Sequence, residues 1–231
     1  MKQSILALSV ALLCSNAMAN DVINFDYIGA GYAEFKAANS NVTDSFDGFA
    51  IEASTQLNEK WVVSGLYSDT SFDEQYTRIN QYSNAVHKLT GNKGYDATQW
   101  ELGISYLVPV EQNAVIELTG FVGRFEFEGT NKGSGQFKVN GYSPEITVFD
   151  TKATSHNRTY GLQANYHYAF SDTVSGVAGV GYQHINDIGS ENKFSYQLGL
   201  QYKIIEDFTI SALFSDSDAY ENRQITLRYN F

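Results

Sequence analysis

Along most of this chain, apolar and polar residues take turns. The final stretch, "ENRQITLRYNF", sets Ile225, Leu227, Tyr229 and Phe231 against Gln224, Thr226, Arg228 and Asn230. Strict period two is the mark of a β-strand with one apolar and one polar face. The same alternation predicts ten strands, over 24–35, 46–57, 61–72, 97–108, 114–127, 158–170, 173–184, 193–204, 208–215 and about 222–231. In the second, Phe49, Ile51, Ala53 and Leu57 oppose Glu52, Ser54 and Gln56. In the fourth, Trp100, Leu102, Ile104, Tyr106 and Val108 oppose Gln99, Glu101, Gly103 and Ser105. In the sixth, Tyr160, Leu162, Ala164, Tyr166, Tyr168 and Phe170 oppose Gln163, Asn165 and His167. The first strand reads as an apolar face of Phe25, Tyr27, Gly29, Gly31, Ala33 and Phe35, with Asp26 and Glu34 on the other side.

The connections alternate in length. "NEK", "PVEQN", "SD" and "IED" are short, whereas 36–45, 73–96, 128–157, 185–192 and 216–221 are long or polar. Short turns on one side and longer loops on the other describe an antiparallel up-and-down transmembrane barrel. The strands are close to the 9–11 residues that cross a bilayer. Eight or twelve strands fit the pattern less well than ten. Pro109 reads as a turn residue and Pro144 as a loop residue, which keeps proline out of the ladder. A soluble β-sandwich also alternates. Here, however, aromatics gather near strand ends: Trp61, Tyr106, Tyr168, Phe170, Tyr202, Phe208 and Tyr229 at the turns, Phe35, Phe49, Trp100, Tyr160, Tyr182, Phe194 and Phe214 at the loops. Such belts belong to a membrane barrel.

The first residues agree. Lys2, the apolar run Ile5–Leu13 and Ala17-Met18-Ala19 read as a secretory signal peptide over 1–19, with the barrel domain over 20–231. Cys14, the sole cysteine, directly follows that run within the signal peptide, so the exported chain is expected to lack thiol and disulfide chemistry. A last strand ending in phenylalanine resembles the signal by which outer-membrane barrels are recognised for assembly; Ile225, Leu227, Tyr229 and Phe231 match it. With the signal peptide, the whole exported chain resembles the small Gram-negative barrels of OmpA/OmpX or porin-like type. That resemblance implies location in the outer membrane and contact with the barrel assembly machinery. The family's commonest small members have eight strands rather than ten.

Composition changes the picture little. There are 16 Tyr, 15 Phe and 19 Gly but two Pro, as suits a β-rich protein. A net charge of -11 excludes nucleic acid as a partner.

The polar faces, taken as inward, place Asp26, Glu52, Glu101, Glu117, His167, Lys203 and Arg228 in a charged lumen network, with Glu34 near them. Arg228 and Asp26 are expected to pair, and the mid-barrel, with Glu52 and Glu101 in one zone, to be net acidic. Two readings follow: a cation-favouring passage, or a hydrogen-bonded network that plugs a narrow barrel. No catalytic residue, cofactor or metal site is read from the sequence. An omptin-like protease needs acids and histidine at the rim; His87, His156 and His184 fall near rim level with Asp69, Asp150 and Asp187 not far away, but no pairing is forced by spacing. No H-x-S, G-x-S-x-G, HExxH, P-loop or EF-hand pattern occurs.

The function expected is therefore a porin-like or structural envelope barrel. Its alternative is a cell-surface binding protein acting through 73–96 and 128–157; a hydrolase comes third. Asn140-Gly141 is a hairpin signal that orders the second of these segments, while 73–96 reads as a loop free to move. Lysine and arginine crowd the loop side, including Lys36, Arg124, Arg158, Lys193 and Arg223. They are placed either to meet outer-membrane lipid and lipopolysaccharide phosphates or simply to keep the loops soluble.

Overall fold

The computed structural model describes residues 23–37, 45–139, 145–186 and 191–231. The signal-peptide segment, Pro144 and the Asn140-Gly141 turn lie outside them. Ten strands form a closed antiparallel barrel, each bonded to its sequence neighbours and the last to the first. They are β1 (Tyr27–Ala37), β2 (Phe46–Asn58), β3 (Trp61–Tyr82), β4 (Ala85–Glu111), β5 (Ala114–Val139), β6 (Glu145–Ala169), β7 (Val174–Asn186), β8 (Glu191–Ile205), β9 (Phe208–Ser217) and β10 (Tyr220–Asn230). Closure removes every edge at membrane level, as hydrocarbon demands. The terminal strand is held along its whole length: Tyr27 through Ala37 pair with Asn230 through Tyr220, and the Phe231 amide donates to the Asp26 carbonyl at 3.2 Å.

The outward face is apolar where it meets lipid. Ile28, Ile51, Leu102, Ile104, Leu118, Val122, Leu162, Val180, Leu198, Leu200, Ile225 and Leu227 are all exposed. In water such a band would drive aggregation; in a bilayer it is the solvent match. Aromatic pairs at the turn side, Trp61–Tyr106, Tyr168–Phe170 and Phe208–Tyr229, border it.

Three features differ from the sequence reading. First, β1 is inverted. Phe25, Ala33 and Phe35 are buried inside, while Ile28 and Tyr32 face out. Glu34 lies on the outward register, where it meets Arg223 at 3.4 Å. Both faces of β1 carry apolar residues, so alternation alone could not orient it. Its glycines could: a Cβ on Gly31 would run into the Ile225 carbonyl, a contact an inward residue at a crowded seam makes and a lipid-facing one does not.

Second, 73–96 and most of 128–157 are strand, not loop. β3 to β6 run on far past the barrel rim. The pairing of β2 with β3 stops at Asp47 and Ser71, and that of β7 with β6 at Asn186 and Arg158. Beyond those pairs the four strands form a projecting sheet; from Phe72 to Tyr82 it rises about 35 Å along the strand. Water wets both its faces, so its sequence lacks the apolar alternation that marks a half-buried strand. Its order comes from rings lying across glycines. Tyr76 covers Gly91, Phe149 covers Gly133, and the Tyr76 hydroxyl donates to Asn131 Oδ1 at 3.0 Å. Lys93 stands over the Tyr76 ring at 5.3 Å, and Lys152–Glu128 and Lys132–Asp150 pairs tie β6 to β5. Pro109 also falls inside β4 rather than in a turn, but at a bulge, where the ladder tolerates its missing N–H.

Because membrane barrels carry short periplasmic turns and longer extracellular connections, the long sheet is expected at the extracellular end. A tag inserted after Gly141 is expected to bind antibody on intact cells, and one after Asn113 only after the outer membrane is breached. Surface labelling at Asn113 would reverse the orientation.

Candidate functional site: a filled lumen below a projecting sheet

The lumen is layered. At the periplasmic mouth, Ile23 and Phe25, just ahead of β1, pack with Val62, Leu107 and Ala169 as an apolar floor. Above it lies a polar layer built around two carboxylates. Glu52 on β2 receives Arg228 Nε at 2.7 Å and Nη2 at 2.8 Å, and the Thr226 hydroxyl at 2.5 Å. This bidentate geometry is the strong form of the arginine–carboxylate pair. Glu52 and Arg228 sit on β2 and β10, on either side of β1, and both are in register with Gly29. A Cβ on Gly29 would come within 3.0 Å of both Arg228 Cγ and Glu52 Oε1. The ion pair therefore crosses the first strand over its glycine and clamps the seam where the barrel closes. The Tyr27 ring lies 4.1 Å from the guanidinium carbon and covers its free face.

Glu117 on β5 organises the second half of the layer. It accepts Ser105 Oγ at 2.7 Å and Asn165 Nδ2 at 3.1 Å, and lies 2.9 Å from His167 Nε2. Gln197 extends the chain to Asn165 at 2.8 Å, and Phe25 meets the His167 ring edge-on. Higher still, Asn222 donates to Gln99 and Tyr220 to Gln183. An aromatic cap closes the top. Phe46 is fully buried against Phe35, Phe72, Tyr95 and Phe127, and Phe35 in turn packs on Phe125 and Tyr220.

The sequence-predicted residues thus divide. Glu52 and Arg228 come together, as do Glu117 and His167. Asp26 stands apart. Its carboxylate accepts the Thr55 hydroxyl at 3.0 Å and the Gln56 amide at 2.7 Å, at the periplasmic end. The expected Asp26–Arg228 pair does not form: Glu52 takes the Nε–Nη2 edge of the guanidinium, and Asp26 is held by Thr55 and Gln56 instead. Glu101 shares a register row with Glu52 through Leu66, as the shared zone requires, but the mid-lumen is not simply acidic, since Arg228 neutralises one of the two carboxylates. Lys203 lies on the inward register at the periplasmic end of β8, where its amide donates to the Thr173 carbonyl. Tyr27 and the aromatic cap were missed with the orientation of β1, whose two faces both carry apolar residues.

The histidines and acids of the omptin-like reading do not converge. His87 packs on Phe137 high in the sheet, His156 on Glu126 outside the wall, and His184 on Asn192 and Tyr160. Asp69 bonds Tyr67, and Asp150 pairs with Lys132. Asp187 lies outside the described residues.

The sequence matches no protein-family model and no curated relative. Solved structures do resemble the fold. The outer membrane protease OmpT from Escherichia coli superposes with a TM-score of 0.54 at 10% identity, covering 96% of this chain and 100% of its own. The chain shares that closed antiparallel β-barrel fold. Ail, the attachment invasion locus protein of Yersinia pestis, gives 0.39 at 14% identity over 89% of this chain and 97% of its own. The NanC porin gives 0.41 at 8% identity over 89% of this chain and 100% of its own. A fold by itself selects no activity.

Proposed function

We propose that the barrel is a filled membrane anchor and that the projecting sheet is its working part, a surface that binds an extracellular protein. One observation carries the first half: the inward polar side chains are buried. Ser105 is wholly inaccessible, and Glu52 and Arg228 are only 8% and 7% exposed. A water-filled passage would leave such groups wet; here they spend their hydrogen bonds on one another. With no passage and no convergent catalytic set among the described residues, neither transport nor hydrolysis is the reading chosen.

The open edges of the sheet support the second half. Beyond Ser71, the β3 edge carries Asp73, Glu74 and Arg78, charges that discourage strand pairing. The β6 edge over 146–149, "ITVF", carries none, and Ile146 and Val148 are 60% and 77% exposed. Among the described residues this stretch of edge pairs with β5 alone, and an uncharged, β-prone open edge is a template for an added strand. The ligand class is an extended segment with apolar residues at alternate positions, laid along β6.

Selection from a displayed peptide library on intact cells tests this. Enrichment of alternating apolar sequences is expected with the native protein. It should be lost with Val148→Lys and kept with Ile79→Lys on the opposite edge. Enrichment indifferent to Val148→Lys, or none at all, would reject the β6 edge.

A further inference from the structure

Two arginines face each other on the outer wall. Arg124 on β5 is in direct register with Arg158 on β6, both on the outward side. The row continues from Arg124 to Trp100 and Tyr67, aromatics of the girdle, so the pair stands at the level where lipid headgroups meet the barrel. One row below, the outward residues are Leu102, Val122 and Tyr160, wholly apolar or aromatic. Like charges directly opposed across a strand pair are destabilising unless something lies between them. Arg124 reaches Glu126 at 3.4 Å, but that carboxylate is also held by His156 at 3.0 Å. Among the described residues no acid pairs with Arg158.

Directly beneath the pair is a groove of about 790 Å³ on the lipid side, lined by Leu102, Ile104, Val122, Tyr160, Leu162 and Tyr182, with His184 and Asn192 at its rim. Gly120 forms its floor. That glycine is not demanded by the fold. A Cβ there would meet only Leu162, at an ordinary 3.7 Å, whereas Gly31, Gly123 and Gly161 each lie against backbone at 2.6 Å or less. The small residue keeps a depression open on a surface whose solvent is acyl chains.

We propose that this is a binding site for a phosphate-bearing acyl glycolipid of the outer leaflet, the lipopolysaccharide class. One acyl chain lies in the groove over Gly120, and a phosphate sits between the guanidinium groups of Arg124 and Arg158. The two halves have complementary demands. Two facing arginines with one shared carboxylate, Glu126 on Arg124, still leave guanidinium donors free, and a dianionic oxygen cluster, which guanidinium forks bind bidentately, suits them. An apolar groove directly below needs a hydrocarbon chain attached to that anion. A lipid supplies both from one molecule, and a free anion supplies only the first. Such a lipid would also brace the wall at the point where β5 and β6 leave the membrane and enter the projecting sheet.

Purified protein in nanodiscs of neutral lipid, titrated with lipid A and followed by native mass spectrometry, tests the site. Binding of phosphorylated lipid A is expected to weaken about tenfold or more in Arg124→Gln/Arg158→Gln, because two charge-assisted contacts are lost. Gly120→Leu, with both arginines intact, is expected to weaken it as well by filling the groove. Both sets of substitutions lie on the outer surface, and retention of the folded band on unheated gels confirms that the barrel is intact. Wild-type affinity in the arginine variant would overturn the phosphate assignment, as would equal binding of dephosphorylated lipid A. Wild-type affinity in Gly120→Leu would overturn the acyl groove. Displacement of the lipid by millimolar inorganic phosphate alone would mark a free-anion site and overturn the lipid proposal.

Discussion

Arg228→Met is expected to cost the barrel about 3–5 kcal/mol, the typical effect of leaving one member of a buried ion pair alone. The substitution strands the Glu52 carboxylate in a lumen where its remaining donor is the Thr226 hydroxyl. It also removes the cation from the Tyr27 ring. The effect should be larger than for an ordinary core position because of where the pair lies. Glu52 and Arg228 join β2 to β10 across β1, and β1–β10 is the seam that closes the ring. Urea unfolding in detergent micelles measures the loss. The double replacement Glu52→Met/Arg228→Met should recover most of it, because well-packed apolar residues often match a buried pair in stability. A single variant as stable as the native protein would mean that the pair does not clamp the seam.

Phe46→Ala should have the second large effect. Phe46 is the centre of the aromatic cap, fully buried and touching four other rings. Truncating a buried phenylalanine costs about 3–5 kcal/mol. Here the loss should also appear as access to the lumen from outside. Cys14 is the only cysteine, so in a Cys14→Ser background an introduced thiol reports alone. A cysteine at Gln99, just under the cap, should react slowly with a membrane-impermeant thiol reagent in the native background. Combined with Phe46→Ala, it should react about tenfold faster or more, as local protection falls. Equal rates would show that the cap does not control entry.

Much of the architecture was legible in the alternation of residues. Strands such as β2, β6 and β8 have a lipid-facing apolar row and a lumen-facing polar row, and two different solvents imprint that pattern. The pattern fails where the two sides of the wall resemble each other. β1 has apolar residues on both faces, since its inner face feeds the floor and the cap through Phe25 and Phe35. The upper parts of β3 to β6 have water on both faces, so 73–96 read as a loop although it is a continuous ladder from Asp73–Gly94 to Tyr82–Ala85. Of the charged residues read as inward, Glu52 meets Arg228 and Glu117 meets His167, whereas Asp26 stands apart and Glu34 faces out. Their pairing was not legible, because it depends on register across the closing seam, which sets Gly29 between Glu52 and Arg228 and leaves Asp26 outside. The Arg124–Arg158 pair likewise needs the register of β5 with β6 before it becomes visible.

The central claim is that the lumen is filled and that the work is done outside. Recording native protein in a planar bilayer tests it most directly. The account predicts a silent membrane: insertion without steady open-channel current in either polarity, because the floor, the Glu52 and Glu117 networks and the aromatic cap occupy the barrel in series. Stable unitary currents from the native protein, selective for either ion, would contradict it.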